Sequence, residues 1–204
     1  MTEEIIALDL ETTGLNPRTD QILELGAARI RNGRVEDTYA AFINIGKKIP
    51  EFIVGLTGIT DEMAEGGLPL GEALDGFLDF CGEAPILGHN ILFDYSFLKQ
   101  KLANAGRNFD REGIDTLALA KKFLPELPSR TLEALCLHYG ISQEKKHRAY
   151  EDALSAYHLY ECLSREFFSV SPVAFEPKQL VYQVKKESPV TFFTKRYLND
   201  LIKY

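Results

Sequence analysis

The chain has 204 residues, 45% hydrophobic and 26% charged, which suits one ordinary soluble domain with a real core plus an extension. No run of 18 or more apolar residues occurs, so a helical membrane span is excluded, and the acidic start MTEEIIALDLE does not read as a signal peptide. The net charge of −7 argues against a generic nucleic-acid binder. Cys81, Cys136 and Cys162 are far apart and show neither zinc spacing nor a disulfide framework, so a reduced cytoplasmic setting is expected.

The run Ile5–Ala7–Leu8–Leu10 reads as a central strand buried on both faces. A Gly/Asn/Pro loop, TTGLNPRTD, follows it. Residues 21–30 read as a second strand, Asn32-Gly33 as a hairpin turn, and 34–44 as a third strand. A loop near LTGIT then leads to a helix at about 70–81, and PILGH (85–89) reads as a short buried strand. Helices are expected at about 91–105, 116–124, 130–139 and 149–166, with a short strand near Gly113–Asp115. A meander followed by strand–helix alternation is an α/β pattern with a mixed sheet.

From Ser171 prolines punctuate the chain, VYQVK reads as a lone strand, and TFFTKRYLNDLIKY reads as an amphipathic helix. A boundary is expected near residue 169, between a domain at 1–168 and an extension at 169–204. Residues 171–204 carry six Lys/Arg against three acids, which leaves 17 basic and 27 acidic residues in the rest. A basic tail on an acidic body fits an acid-lined metal site with a separate docking arm; a solvated C-terminus fits equally.

Five residues in this frame carry chemistry. Asp9 and Glu11 are i and i+2 on the first strand and share one face, at its carboxyl end, where open α/β sheets bind ligands. A lone D-x-E also fits a strand end meeting solvent. Asp94 shares a helical face with Ile91, Leu98 and Leu102, with Asn90 as the helix N-cap. Asp152 shares a face with Ala149, Ala156, Tyr160 and Leu163. His147 lies five residues before it, about 140° away on a continuous helix, so a common site requires His147 to sit on the preceding loop. A histidine there suits a general base, although a surface-loop histidine is the plainer alternative. His89, His138 and His158 read as structural.

Two unit charges about 4 Å apart repel by roughly 4 kcal/mol at an effective dielectric near 20. Four converging carboxylates therefore cost on the order of 10 kcal/mol, comparable to the stability of a domain. Protonation or cations must relieve this, and oxygen ligands without cysteine suit Mg²⁺ or Mn²⁺.

In order, DLETTGL, LTGIT, GHNILFD, DTLALA and HRAYEDA resemble the DEDDh branch of the DnaQ-like 3′–5′ exonucleases, over about residues 4–165. The resemblance implies a ribonuclease H-like fold with a five-stranded mixed sheet flanked by helices. It implies two Mg²⁺ (or Mn²⁺) ions, one held by Asp9, Glu11 and Asp152 and the other by Asp9 and Asp94, with His147 as base. It also implies a 3′-terminal nucleotide held by Thr12, Thr13 and Leu15 on one side and by Phe93, the LTGIT loop around Ile59, and Asn90 on the other. The expected partner is a single-stranded nucleic-acid 3′ end, DNA before RNA because the acidic body offers no basic RNA platform. The alternatives are a 3′–5′ exoribonuclease and, with all four acids retained, the less favoured non-catalytic interaction module. A stand-alone enzyme is the simpler expectation.

Overall fold

In the computed structural model, residues 4–143 and 147–184 are described. The expected meander is present as β1 (Glu4–Thr12), β2 (Ile22–Arg31) and β3 (Arg34–Asn44), paired antiparallel. Asn32 and Gly33 both adopt left-handed backbone (φ 51° and 76°), the geometry a two-residue hairpin needs to match strand twist. The chain then runs through α1 (Glu51–Thr57), α2 (Asp61–Glu65), β4 (Leu68–Pro69) and α3 (Leu70–Cys81). Next come β5 (Ile86–Gly88), α4 (Leu92–Asn104), β6 (Glu112–Asp115), α5 (Thr116–Phe123), α6 (Leu132–Tyr139) and α7 (Ala149–Phe167). A 3-10 turn at Pro172–Phe175 and β7 (Lys178–Gln179) complete the described elements.

The sheet order is β4-β3-β2-β1-β5-β6-β7, with β5 and β6 parallel to β1. It has seven strands rather than the expected five. The two additions are edge pairs of two residues each, too short to show any side-chain alternation. Around the loop expected near LTGIT, the stretch 51–65 holds α1 and α2. These are short, and their signals are caps rather than periodicity: Gly58 closes α1 in left-handed backbone, and the Thr60 hydroxyl accepts from Met63 N–H to open α2.

Asn90 is not the cap of α4. The helix starts one residue later than expected, after Ile91, and Asn90 instead takes φ 65° with its N–H donated to Asp115. VYQVK forms no strand in its described part; the pairing falls just upstream, at Lys178–Gln179. Packing also continues past residue 169: Phe175 is buried against α7, and Leu180 and Tyr182 lie on the core. The expected amphipathic helix at 191–204 lies outside the described residues. Among the described residues, no helix is long and apolar enough to cross a membrane.

The sheet separates two cores. Ile6, Leu8 and Leu10 face α3 and α4, whereas Ile5 and Ala7, with Ala28 and Ile30 of β2, face α5–α7. Asp9 and Glu11 continue that second face toward the carboxyl end of β1. Beside Asp9 in the β2 register stands Gly26, where α7 begins flush against the sheet. A Cβ built on Gly26 would fall 2.6 Å from Tyr150 Cα and even closer to backbone on either side of the Ala149–Tyr150 peptide. Gly26→Ala must therefore push the start of α7 off the sheet. The expected result is a loss of about 1–3 kcal/mol by chemical denaturation.

Candidate active site

Asp9 and Glu11 lie where β1 runs on beyond β5. Pairing between the two strands covers Ile6↔Ile86 and Ala7↔Leu87, so the Leu10 N–H faces no strand. The Asp94 carboxylate takes it, at 3.1 Å. Asp94 is 3% exposed and sits in the first turn of α4, where the helix dipole favours a negative charge. One hydrogen bond thus ties α4 to the carboxyl end of β1, across 84 residues of sequence.

On the other side, α7 brings Asp152 in its first turn. Asp152 accepts the His147 N–H at 3.1 Å and the Gln143 side-chain amide at 3.5 Å. His147 has φ 57°, a left-handed conformation that few non-glycine residues adopt, and its ring lies on the exposed loop before the helix, as the i+5 spacing required. Ligand atoms of Glu11, His147 and Asp152 all lie within 4.8 Å of one another, a span that one cation could bridge.

The electrostatics match the geometry. Burial pushes Asp9 well above the usual carboxylate range, and Asp94, Glu11, Asp152 and Glu24 push it further. Glu11 is raised to about 8, first by burial, then by Asp152 and Glu24, with Arg148 opposing. Asp94 is raised mainly by burial, against hydrogen bonds from its own N–H and from Leu10. Carboxyls this desolvated and mutually repelling fit a divalent cation: hard oxygen donors with unmet charge are what such an ion requires.

The loop that follows β1 is held by its own hydrogen bonds. The Thr12 hydroxyl donates to the Gly14 carbonyl (2.7 Å), and the Thr13 hydroxyl accepts from Gln21 N–H (2.9 Å). Asp20 accepts from Asn16 N–H, and the buried Lys101 ammonium holds the Asp20 carbonyl from α4. Leu15 is half-buried on this loop, and Phe93, packed on Phe97 at 5.0 Å, stands next to Asp94. Ile59 differs from expectation. It is fully buried with Leu23, Ile49, Ile53 and Ala64, so its side chain presents no surface to a nucleotide. The exposed apolar side chains nearby in sequence are Phe52 and Leu56 of α1, a helix that the sequence reading did not anticipate.

Sequence reasoning also missed Glu24. It lies opposite Glu11 in the β1–β2 register, is 3% exposed, and pairs with Arg148 at 2.9 Å. Its signal was present, an acid set between Leu23 and Leu25 in the apolar first part of β2.

Acids and a histidine gather at the carboxyl end of a central strand in an arrangement that a divalent cation would fit. The exonuclease family (RNase_T) matches residues 6–160, and the chain belongs to it, as a DnaQ-like 3′–5′ exonuclease. Among curated relatives, the PolC-type DNA polymerase III of Thermotoga maritima is 40% identical over 149 residues, covering 72% of this chain and 11% of the relative. That of Clostridium perfringens is 35% identical over 151 residues, covering 74% of this chain and 10% of the relative. The chain thus spans about a tenth of the length of these polymerases. Among solved structures, E. coli exonuclease I in complex with a dT13 oligonucleotide superposes with TM-score 0.75 at 19% identity, over 84% of this chain and 43% of that one. The nuclease domain of 3′hExo, a DEDDh family member bound to rAMP, superposes with TM-score 0.71 at 16% identity, over 88% of this chain and 98% of that one.

Proposed function

We propose that this chain removes nucleotides from the 3′ ends of single-stranded or frayed DNA, releasing nucleoside 5′-monophosphates in a proofreading or repair setting. The observation that carries this reading is the cluster of Glu11, His147 and Asp152 beside the partly buried Asp9 and the buried Asp94. Asp9, Glu11 and Asp152 would hold one divalent cation, and Asp9 with Asp94 a second. Bound there, such ions supply an activated water and neutralise charge on the leaving oxygen.

The rest of the chemistry belongs to the chain. His147, on an exposed loop but fixed by its backbone, takes the proton from the attacking water. Water oxygen bonds to phosphorus as the bond from phosphorus to the 3′ oxygen breaks, leaving a 5′-monophosphate and a 3′ oxyanion that takes a proton from solvent to become the new 3′-hydroxyl. Thr12, Thr13 and Leu15 flank the terminal sugar and base, with Phe93 and Asn90 opposite. Apolar and aromatic contacts accept any base, which favours terminal over sequence preference. The PolC-type relatives support DNA and a replication setting. The basic segment 171–204 would dock a polymerase or repair partner by charge.

The test is a time course with Mg²⁺ on 5′-labelled single-stranded DNA, frayed duplex and a matched RNA. A 3′-shortening ladder is expected, faster on DNA, with His147→Ala lowering kcat by about 10²–10⁴-fold. Faster loss of RNA would reassign the substrate, and an unchanged His147→Ala rate would remove His147 as base.

A further inference from the structure

His147 belongs to a short loop, and an exposed loop alone does not place a ring within ligand distance of two carboxylates. Its backbone is held on one side by Asp152, which accepts the His147 N–H. On the other side the next residue, Arg148, leaves the loop and reaches β2. Its guanidinium donates to Glu24 at 2.9 Å and lies over the Phe42 ring, 4.5 Å from the centroid. The second oxygen of Glu24 accepts the Ala149 N–H at 3.3 Å. One buried carboxylate therefore binds two consecutive residues directly after His147, across more than 120 residues of sequence. Gly26, two residues along the same strand face, lets α7 start in contact with the sheet. Phe42 is paired with Glu24 in the β2–β3 register, so the guanidinium rests on the neighbouring strand.

The pair has no evident role in binding a cation itself. Glu24 spends both oxygens on Arg148 and Ala149, and it faces Glu11, whose negative charge it makes worse. An acid kept beside other acids at that cost needs a compensating use. We infer that Glu24 and Arg148 form a latch that fixes the position of His147 over the site. They are positioning residues for the proposed exonuclease reaction, and the inference rests on that reading. A planar fork laid on an aromatic ring and bound to a buried carboxylate holds direction as well as distance, which a lysine at 148 would not reproduce. A displacement of about 1 Å at a proton-transfer position costs on the order of 10²-fold in rate.

A mutant cycle separates the latch from a purely structural ion pair. The variants are Glu24→Gln, Arg148→Met and the double variant, in the full chain with Mg²⁺. Readouts are kcat, KM, melting temperature, and hydrogen exchange at the amides of 147–149. Each single variant is expected to lower kcat by about 10–100-fold with KM nearly unchanged, and to speed exchange at 147–149. Arg148→Met leaves an unpaired buried carboxylate and melts early; the double variant removes that carboxylate and recovers the melting temperature. Its kcat is expected to stay low, no lower than that of the weaker single variant.

Recovery of kcat together with melting temperature in the double variant would make the pair structural and overturn the latch. A raised KM confined to Arg148→Met, with Glu24→Gln normal, would assign Arg148 to substrate and also overturn it. A wild-type chain without nuclease activity defeats the exonuclease reading itself, whereas an active wild type with unaffected variants defeats the latch alone.

Discussion

Asp9→Asn is expected to lose turnover by about 10³-fold or more and, at pH 8 in the absence of metal, to melt at a higher temperature than the wild type. The loss follows from removing a ligand proposed to serve both cations, where charge stabilisation is worth several kcal/mol and each 1.36 kcal/mol is tenfold in rate. The gain follows from the cost of the wild-type carboxylate. Asp9 is pushed up by burial and by four neighbouring acids, so ionising it without a cation is unfavourable. The amide keeps the shape and removes the charge. Each kcal/mol relieved should appear as about 2–4 °C in a chain of this size. Melting in EDTA, alongside single-turnover rates with Mg²⁺, reads both effects. A lower melting temperature for Asp9→Asn would show that the carboxylate is stabilising without metal and would remove the argument that the site is built around cations.

The second large effect is a pH dependence that metal reverses. In the folded chain Glu11 titrates at about 8, against an ordinary value of 4.5. Between these values the folded state keeps a proton that the unfolded state has released. Its stabilising contribution is complete below about 4.5 and is lost as pH rises through 8. Asp9 and Asp94 are shifted in the same direction and add to the trend. The metal-free melting temperature should therefore fall from pH 6 to 8.5. Mn²⁺ binds the deprotonated acids, so its stabilisation should grow over the same range. At about a hundredfold excess over Kd, binding contributes about 2.7 kcal/mol, or roughly 5–10 °C. A Mn²⁺ shift that is equal at pH 6 and 8.5 would contradict the raised carboxyls.

Much of the frame was legible because its signals are local. The helix expected at 70–81 is Leu70–Cys81, and the Asn32-Gly33 turn is where left-handed backbone occurs. Asp94 reads as inward-facing because Ile91, Leu98 and Leu102 flank it at helical spacing, and all four are buried. α1 and α2 were not legible, since helices of seven and five residues complete too few turns to show a stripe. Ile59 was legible as apolar, but nothing in LTGIT says that it turns into a small core rather than toward a ligand. Glu24 shows only as an acid between two leucines, and Arg148 only as a charge beside a histidine.

The sequence by itself determined which acids share a face, that His147 must leave the helix to join them, and the branch of nucleases the motifs resemble. Those conclusions depend on spacings of two to five residues, which backbone geometry converts directly into direction. Only the tertiary structure decided that Asp94 caps the open edge of β1, that Glu24 faces Glu11, and that Arg148 crosses to β2 beside the histidine. These contacts join residues 84 and 124 apart, and no local pattern encodes such a meeting. Burial is likewise collective: Glu11 rises to about 8 because β2 and α7 close over it, bringing Glu24 and Asp152 with them.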